Sequence, residues 1–254
     1  MKQIVEHFDR SYIINLIDRK DRKRQVEKEF MTLGVKIPNE RVCFYDAIRP
    51  TDKAGFPNIG TRGCFNSHRN ILELAKKDHL RNVLILEDDV SFRAAAPSFE
   101  QSLIKQLELE DWDIVYFGYL SPPDDALSGP LVQWPNDITG THFYAVNGKF
   151  IGPLLEYMNK CESLPLGDPF GGPMSPDAVQ NHMRYIIPNI KVLLSAPSLA
   201  HQRSSRTDVA ATGVFDKVIW LRPILRGGRA LKHKVSMILD KKKIRRQLDR
   251  QSGG

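Results

Sequence analysis

The chain of 254 residues carries 37 Lys and Arg against 30 Asp and Glu, a formal net charge of +7, with 41% hydrophobic and 26% charged residues. These are the proportions of an ordinary soluble globular protein, and they exclude a low-complexity or collagen-like chain. No apolar run approaches the ~20 residues that a membrane-spanning helix needs.

The positive charge has an address. Between Arg222 and Arg250 there are eleven Lys and Arg against Asp240 and Asp249, a local +9, which leaves −2 for the rest of the chain. A basic tail on a near-neutral body argues against a protein that reads nucleic acid with its folded face. Cys43, Cys64 and Cys161 are odd in number and far apart, so they form neither a disulfide framework nor a CxxC zinc site. The first residues lack the apolar core of a secretory signal, and a cytoplasmic location is the expectation.

In chain order, residues 11–17 are β-branched and aromatic and predict a first strand. A charged helix follows over 18–33, with Val26, Phe30 and Leu33 as its apolar stripe and Gly34 as its stop. Residues 41–48 read as a second strand, and 49–62, with Pro50, Gly55, Pro57 and Gly60, as a long loop. A helix over 63–79 places Cys64, His68, Ile71, Leu72 and Ala75 on one face, so His68 reads first as a core histidine.

The stretch from Asn82 to Val90 is the most informative in the chain. Val83 to Leu86 is a short apolar run of the kind buried on both faces of a parallel sheet. Glu87, Asp88 and Asp89 follow at its carboxyl end, where open α/β sheets place their ligands. Continued alternation would send Glu87 and Asp89 to one side and Asp88 to the other. Clustered carboxylates repel unless neutralised, and oxygen ligands suit Mg²⁺ or Mn²⁺ better than zinc. An acidic turn that merely follows a strand is the plain alternative.

Beyond it, a helix over 97–109 and a strand over 112–118 extend the βαβ rhythm of an α/β domain with a mostly parallel sheet. Residues 119–137 are too rich in proline for more than an edge strand. A strand over 139–146, a helix over 148–160 and an irregular stretch over 161–175 follow. Ser175 as N-cap, Pro176 and Asp177 then open another helix, and 190–195 form a last strand. Val214, Val218, Leu221 and Leu225, then Leu231, Val235 and Ile238 after Gly227-Gly228, predict a basic amphipathic helical tail over 213–254. Such a tail can lie on an anionic membrane surface.

Several of these stretches resemble glycosyltransferase family 25, the lipopolysaccharide biosynthesis group related to collagen galactosyltransferases. Tyr12 to Leu16 with Arg19, Asp21 and Arg22, Gly63-Cys64-Phe65 with Ser67-His68, and Leu84 to Val90 carry the resemblance. Trp112 to Tyr116 and Gly140-Thr141-His142 with Tyr144 extend it, and Pro176-Asp177 and Ala200-His201-Gln202 continue it thinly. Ile17 and Lys20 depart from the family pattern, which often has Asp and Pro there.

The resemblance implies a GT-A-like, nucleotide-sugar-binding Rossmann-type fold over 1–212. It also implies inverting transfer from a UDP-sugar donor, most plausibly UDP-galactose, to lipopolysaccharide or a related surface glycan. It suggests Asp89 as a direct Mn²⁺ or Mg²⁺ ligand, with Glu87 and Asp88 contacting ribose, sugar or metal waters. Ser67 and His68 join the donor-binding set on the same ground. His201 is a further metal-ligand candidate or a surface histidine. Asn15, Arg19 and Arg22 read as contacts to base and phosphates, or the arginines as a solvated helix face. Asp177 is the candidate base, at a helix start whose dipole favours its charge; a plain helix-start acid is the alternative and Asp168 the second candidate. His142 and Tyr144 would line the sugar site. The tail would hold the enzyme on the inner face of a membrane. A metal-dependent hydrolase would need ligands for a second metal, and no convincing set exists. A non-catalytic glycan- or nucleic-acid-binding protein is the remaining alternative.

Overall fold

The computed structural model describes residues 1–95, 97–121 and 129–203. In chain order its elements are α1 (Lys2–His7), β1 (Arg10–Asn15), α2 (Lys20–Thr32), β2 (Val42–Asp46), α3 (Ile59–Lys77), β3 (Asn82–Glu87), β4 (Val90–Phe92) and α4 (Pro97–Leu109). They continue as β5 (Ile114–Gly118), β6 (Leu131–Gln133), β7 (Phe143–Asn147), α5 (Gly148–Ser163), α6 (Pro176–Ile186), β8 (Val192–Ser195) and β9 (Ala200–Gln202).

The strands form one sheet in the order β2-β1-β3-β7-β5-β8-β6, with β9 pairing both β5 and the short β4. β1 is parallel to β2 and β3, and β5 is parallel to β8 and β9. Between them β7 runs antiparallel to both β3 and β5. The sheet is therefore mostly parallel in strand direction, as expected, but its central strand is reversed. The consequence is local: the start of β7, not its end, lies beside the carboxyl ends of β1, β3 and β5. Leu86 pairs with Phe143 there.

Side-chain alternation sorts the core into two layers. Val83 and Ile85 face α3 and α5 with Tyr12, Ile14, Phe65, Leu72, Tyr144 and Leu154. Leu84 and Leu86 face the other side with Ile13, Val26, Phe30, Leu103, Phe117 and Phe143. All four residues of the β3 run are fully buried, each such burial being worth about 1.5–3 kcal/mol. By the same alternation Glu87, the last residue of β3, points to the α3 side.

Four differences from the sequence reading matter. First, the strand expected over 82–90 breaks at a turn through Asp88 and Asp89 and resumes as β4. Alternation therefore cannot set the side of Asp89. Second, α3 begins at Ile59, because the Asn58 side chain accepts a hydrogen bond from the Thr61 N–H at 2.8 Å. Pro57 and Gly60 suggested a loop, but proline before a cap and glycine within the first turn are both compatible with a helix start. Third, α1 and β9 were not expected, being short. Finally, the tail over 213–254 lies outside the described residues. Among the described residues no helix is long and apolar enough to cross a membrane.

Candidate active site

The acidic turn is built by contacts from three directions. Arg203 donates from its backbone N–H to the Asp89 carbonyl at 2.8 Å, and from its guanidinium to the Asp88 and Val90 carbonyls, both at 2.7 Å. From the side of β9, the Gln202 amide donates to Asp89 Oδ2 at 3.1 Å and to Glu87 Oε2 at 3.4 Å. From the side of α2, Arg22 Nη1 donates to Asp88 Oδ1 at 2.8 Å and lies 3.9 Å from Asp89 Oδ2. Glu87 and Asp89 thus do converge, through one amide rather than through the pleat.

The three carboxylates differ electrostatically. Burial pushes the Asp88 carboxyl up, against the opposing pull of Arg22 and of the Asn15 amide, which donates to Asp88 Oδ2 at 2.7 Å. Burial would also raise Glu87, but the His68 and His142 imidazoles and the Thr141 hydroxyl outweigh it and hold Glu87 below its usual value. Asp89 is the unbalanced member. It is 3% exposed, and burial with the Glu87 and Asp88 charges pushes it up to about 7. Among the described residues its Oδ1 has no hydrogen-bond partner. A buried carboxylate oxygen left without a donor, among like charges, fits a hard divalent cation. Asp89 would hold that cation, with the Glu87 Oε2 side next to it.

The other residues named from sequence divide into three groups. Some are brought to the acidic turn but are already committed. Asn15 and Arg22 bind Asp88, and Arg22 also lines the adjoining cleft. Ser67 is fully buried, donating to the Gly63 carbonyl and accepting from the Ile48 N–H, so it anchors the chain after β2 to α3. His68, in mid-helix rather than at a helix start, bonds Tyr144 through Nδ1 at 2.9 Å and faces Glu87 Oε1 through Nε2 at 3.5 Å. It is a core histidine that also borders the acidic site.

A second group lies elsewhere. Arg19 is turned to Asp21, at 2.9–3.0 Å on two nitrogens. Asp168 accepts from the Phe170 N–H in its own loop. His201 is exposed, because alternation along β9 turns Gln202, not His201, toward Asp89.

The third group connects the site to Asp177. Thr141 Oγ1 donates to Glu87 Oε1 at 3.2 Å, and the His142 carbonyl accepts from the Glu87 N–H at 3.0 Å. One residue earlier, the Gly140 N–H donates to Asp177 Oδ2 at 3.3 Å. The segment before β7 thus ties the start of α6 to the end of β3. Asp177 also accepts from the Ala178 N–H at 3.0 Å and from the Ser175 hydroxyl at 2.5 Å. The Cys64 thiol is pushed up by burial and then by the charges of Glu87, Asp177 and Asp89. His142 is fully buried, packed between Gly118 and Gly140; a Cβ on Gly118 would come within 2.6 Å of its Nε2.

Beside this cluster a cleft of about 230 Å³ opens between the ends of β1 and β2 and the first turns of α3. Leu16, Ile48, Pro50 and Ile59 give it apolar walls, and Glu87 and Asp88 close one end. Arg203, Gln202 and Thr141 are the site residues that sequence reasoning missed. The available signal was the Ala200-His201-Gln202 segment, in which a β-strand period from buried Ala200 would have selected Gln202.

Residues 58–122, which contain the whole of α3 and the acidic turn, match the family model for glycosyltransferase family 25 (LPS biosynthesis protein). A glycosyltransferase 25 family member of Drosophila melanogaster is 30% identical over 130 residues, covering 43% of this chain and 21% of that protein. Procollagen galactosyltransferase 1-B of Xenopus laevis is 24% identical over 162 residues, 57% of this chain and 26% of that one. The match thus spans about a fifth to a quarter of these relatives. Among solved structures, a glycosyltransferase involved in the glycosylation of the major capsid of PBCV-1 overlays with a TM-score of 0.43 at 15% identity. That overlay covers 77% of this chain and 94% of that one, and is too loose to transfer anything residue by residue.

Proposed function

From the family 25 segment that the chain carries, we propose that it is an inverting, divalent-metal-dependent glycosyltransferase that uses a UDP-sugar. The observation that carries this reading is Asp89: a buried carboxylate with a bare oxygen, joined through the Gln202 amide to Glu87, which with Asp88 lines an apolar cleft. The cleft has flat apolar walls suited to a nucleoside, and its acidic end is where a cation-bound diphosphate would sit. When bound, Mn²⁺ or Mg²⁺ would neutralise charge developing on the departing diphosphate, worth several kcal/mol in the transition state.

The chain's own residues have separate tasks. Arg203 and Gln202 hold the acidic turn in shape, so that Asp89 is presented rather than collapsed onto a neighbour. Arg22 and Asn15 fix Asp88. Asp177 is the base: the Gly140 N–H and Ser175 hydroxyl orient its carboxylate, which accepts the acceptor hydroxyl's proton as that oxygen attacks the anomeric carbon. His142 stiffens the segment that connects base and cation site. The Xenopus relative's name supports galactose as the sugar moved, and the family description supports a lipopolysaccharide-type acceptor. A basic tail would bring such an enzyme to the membrane that carries a lipid-linked glycan.

The test is a screen of nucleotide sugars for slow hydrolysis or transfer. UDP-galactose should be turned over with Mn²⁺ and not with excess chelator, and Asp89→Asn should lose at least about a hundredfold in rate. Turnover that ignores both metal and Asp89 would contradict the proposal.

A further inference from the structure

A second group of ligating atoms shares Glu87 with the acidic cluster and has a different chemistry. On α3, Cys64 and His68 are four residues apart and therefore project from one face. The Cys64 sulfur, a ring nitrogen of His68 and a carboxylate oxygen of Glu87 all lie within 4.8 Å of one another. His68 Nε2 is buried, with the residue 1% exposed; among the described residues its one polar neighbour is Glu87 Oε1 at 3.5 Å, beyond ordinary hydrogen-bond length. The other ring nitrogen is already engaged by the Tyr144 hydroxyl, which together with ring stacking at 5.7 Å fixes the imidazole. A ligating histidine anchored through its second nitrogen is the usual arrangement at a metal site.

We infer that Cys64, His68 and Glu87 form a second cation site, specific for a borderline-soft divalent ion such as Zn²⁺ and distinct from the hard-cation position at Asp89. Bonds of 2.0–2.3 Å in tetrahedral geometry put ligand atoms about 3.3–3.6 Å apart. The His68–Glu87 separation already meets that, and the Cys64 sulfur closes the rest by a change of its side-chain torsion. A thiolate, an imidazole and one carboxylate leave the fourth position for water or a substrate oxygen. On binding, the Cys64 thiol releases its proton to solvent and the sulfur becomes the ligand. Glu87 is shared between two surroundings: Oε1 faces His68 and Thr141, whereas Oε2 faces Gln202, which also holds Asp89. All three ligands line the cleft. Occupancy by Zn²⁺ therefore alters the cleft wall, and Zn²⁺ inhibits UDP binding without competing for the Asp89 position.

Co²⁺ added to the full chain as a spectroscopic stand-in tests the site. The expected result is a sulfur-to-cobalt charge-transfer band in the near ultraviolet with the strong visible absorption of four-coordinate cobalt, both displaced by one equivalent of Zn²⁺. Cys64→Ser should abolish the charge-transfer band and weaken Zn²⁺ binding by at least about a hundredfold. Asp89→Asn should keep the band while losing Mn²⁺-dependent UDP binding, so failure at either site is seen separately. Zn²⁺ uptake by the unaltered chain against a chromophoric chelator needs no variant, and one tightly bound equivalent is expected. Absence of that uptake, absence of the band, or a band that persists in Cys64→Ser would overturn the inference.

Discussion

Asp89 and Asp177 are both aspartates close to backbone turns, yet their surroundings differ, and the proposed reaction gives them opposite work. Asp89 has one oxygen held by Gln202 and one left bare, inside a cluster of like charge. Asp177 has both oxygens supplied with donors at the first turn of α6. In the proposed reaction the first would receive a cation and the second would stay oriented while it takes a proton. Replacing Asp177 by Asn keeps the shape and removes the basicity. Turnover should therefore fall by about 10²–10⁴-fold, the range of a general base, with UDP affinity held within a few-fold. Paired steady-state and calorimetric measurements check this, and an unchanged rate would rule Asp177 out as the base. Asp177 was legible in the sequence because Ser175-Pro176-Asp177 is a local helix-start pattern. Arg203 and Gln202 were not legible. Their partners in the acidic turn lie 113 and 115 positions away, and only the fold brings them together. His201 stood in the sequence as a metal-ligand candidate or a surface histidine; strand parity exposes it and points Gln202 inward.

At the scale of elements, the site depends on how closely α3 approaches the end of β2. A Cβ on Gly63 would stand 2.6 Å from the Ile48 carbonyl oxygen, a backbone atom that cannot swing aside. Ala at an ordinary helix position gains about 1 kcal/mol over Gly. Overpacking of this kind costs roughly 1–3 kcal/mol, so the steric term wins. Gly63→Ala should lower the denaturant midpoint by the equivalent of about 1 kcal/mol. Gly152 in α5 has nothing within 4 Å of its would-be Cβ, and Gly152→Ala should raise stability by up to about 1 kcal/mol. Chemical denaturation of the two variants side by side makes the comparison, and equal effects would contradict the close approach. The elements themselves were largely readable: the four-residue apolar run of β3 and the stripe of α2 carry their periods openly. The reversal of β7 was not readable, since five or six buried residues look the same in either direction. That reversal places Gly140, Thr141 and His142 between Glu87 and Asp177.

For the whole molecule, two α-helical layers enclose a sheet whose parallel strand ends converge on the acidic turn, and most of the net positive charge lies in the sequence after Arg222. In the proposed reading the body carries the chemistry, and the tail would supply attraction to a negative surface. Deleting residues 228–254 should weaken binding to vesicles rich in anionic lipid and leave UDP affinity as it was; co-sedimentation reads the first, and undiminished vesicle binding would dispose of the membrane role. The central claim concerns the mouth itself, where a cation held by Asp89 in turn holds a nucleotide diphosphate. Calorimetric titration of UDP into the full chain, with and without Mn²⁺, tests this most directly. Binding should strengthen at least about tenfold with the metal, by roughly 1.4 kcal/mol or more, and the gain should vanish in Asp89→Asn. Equal UDP affinity with and without Mn²⁺, or a metal-dependent gain that survives the substitution, would contradict it.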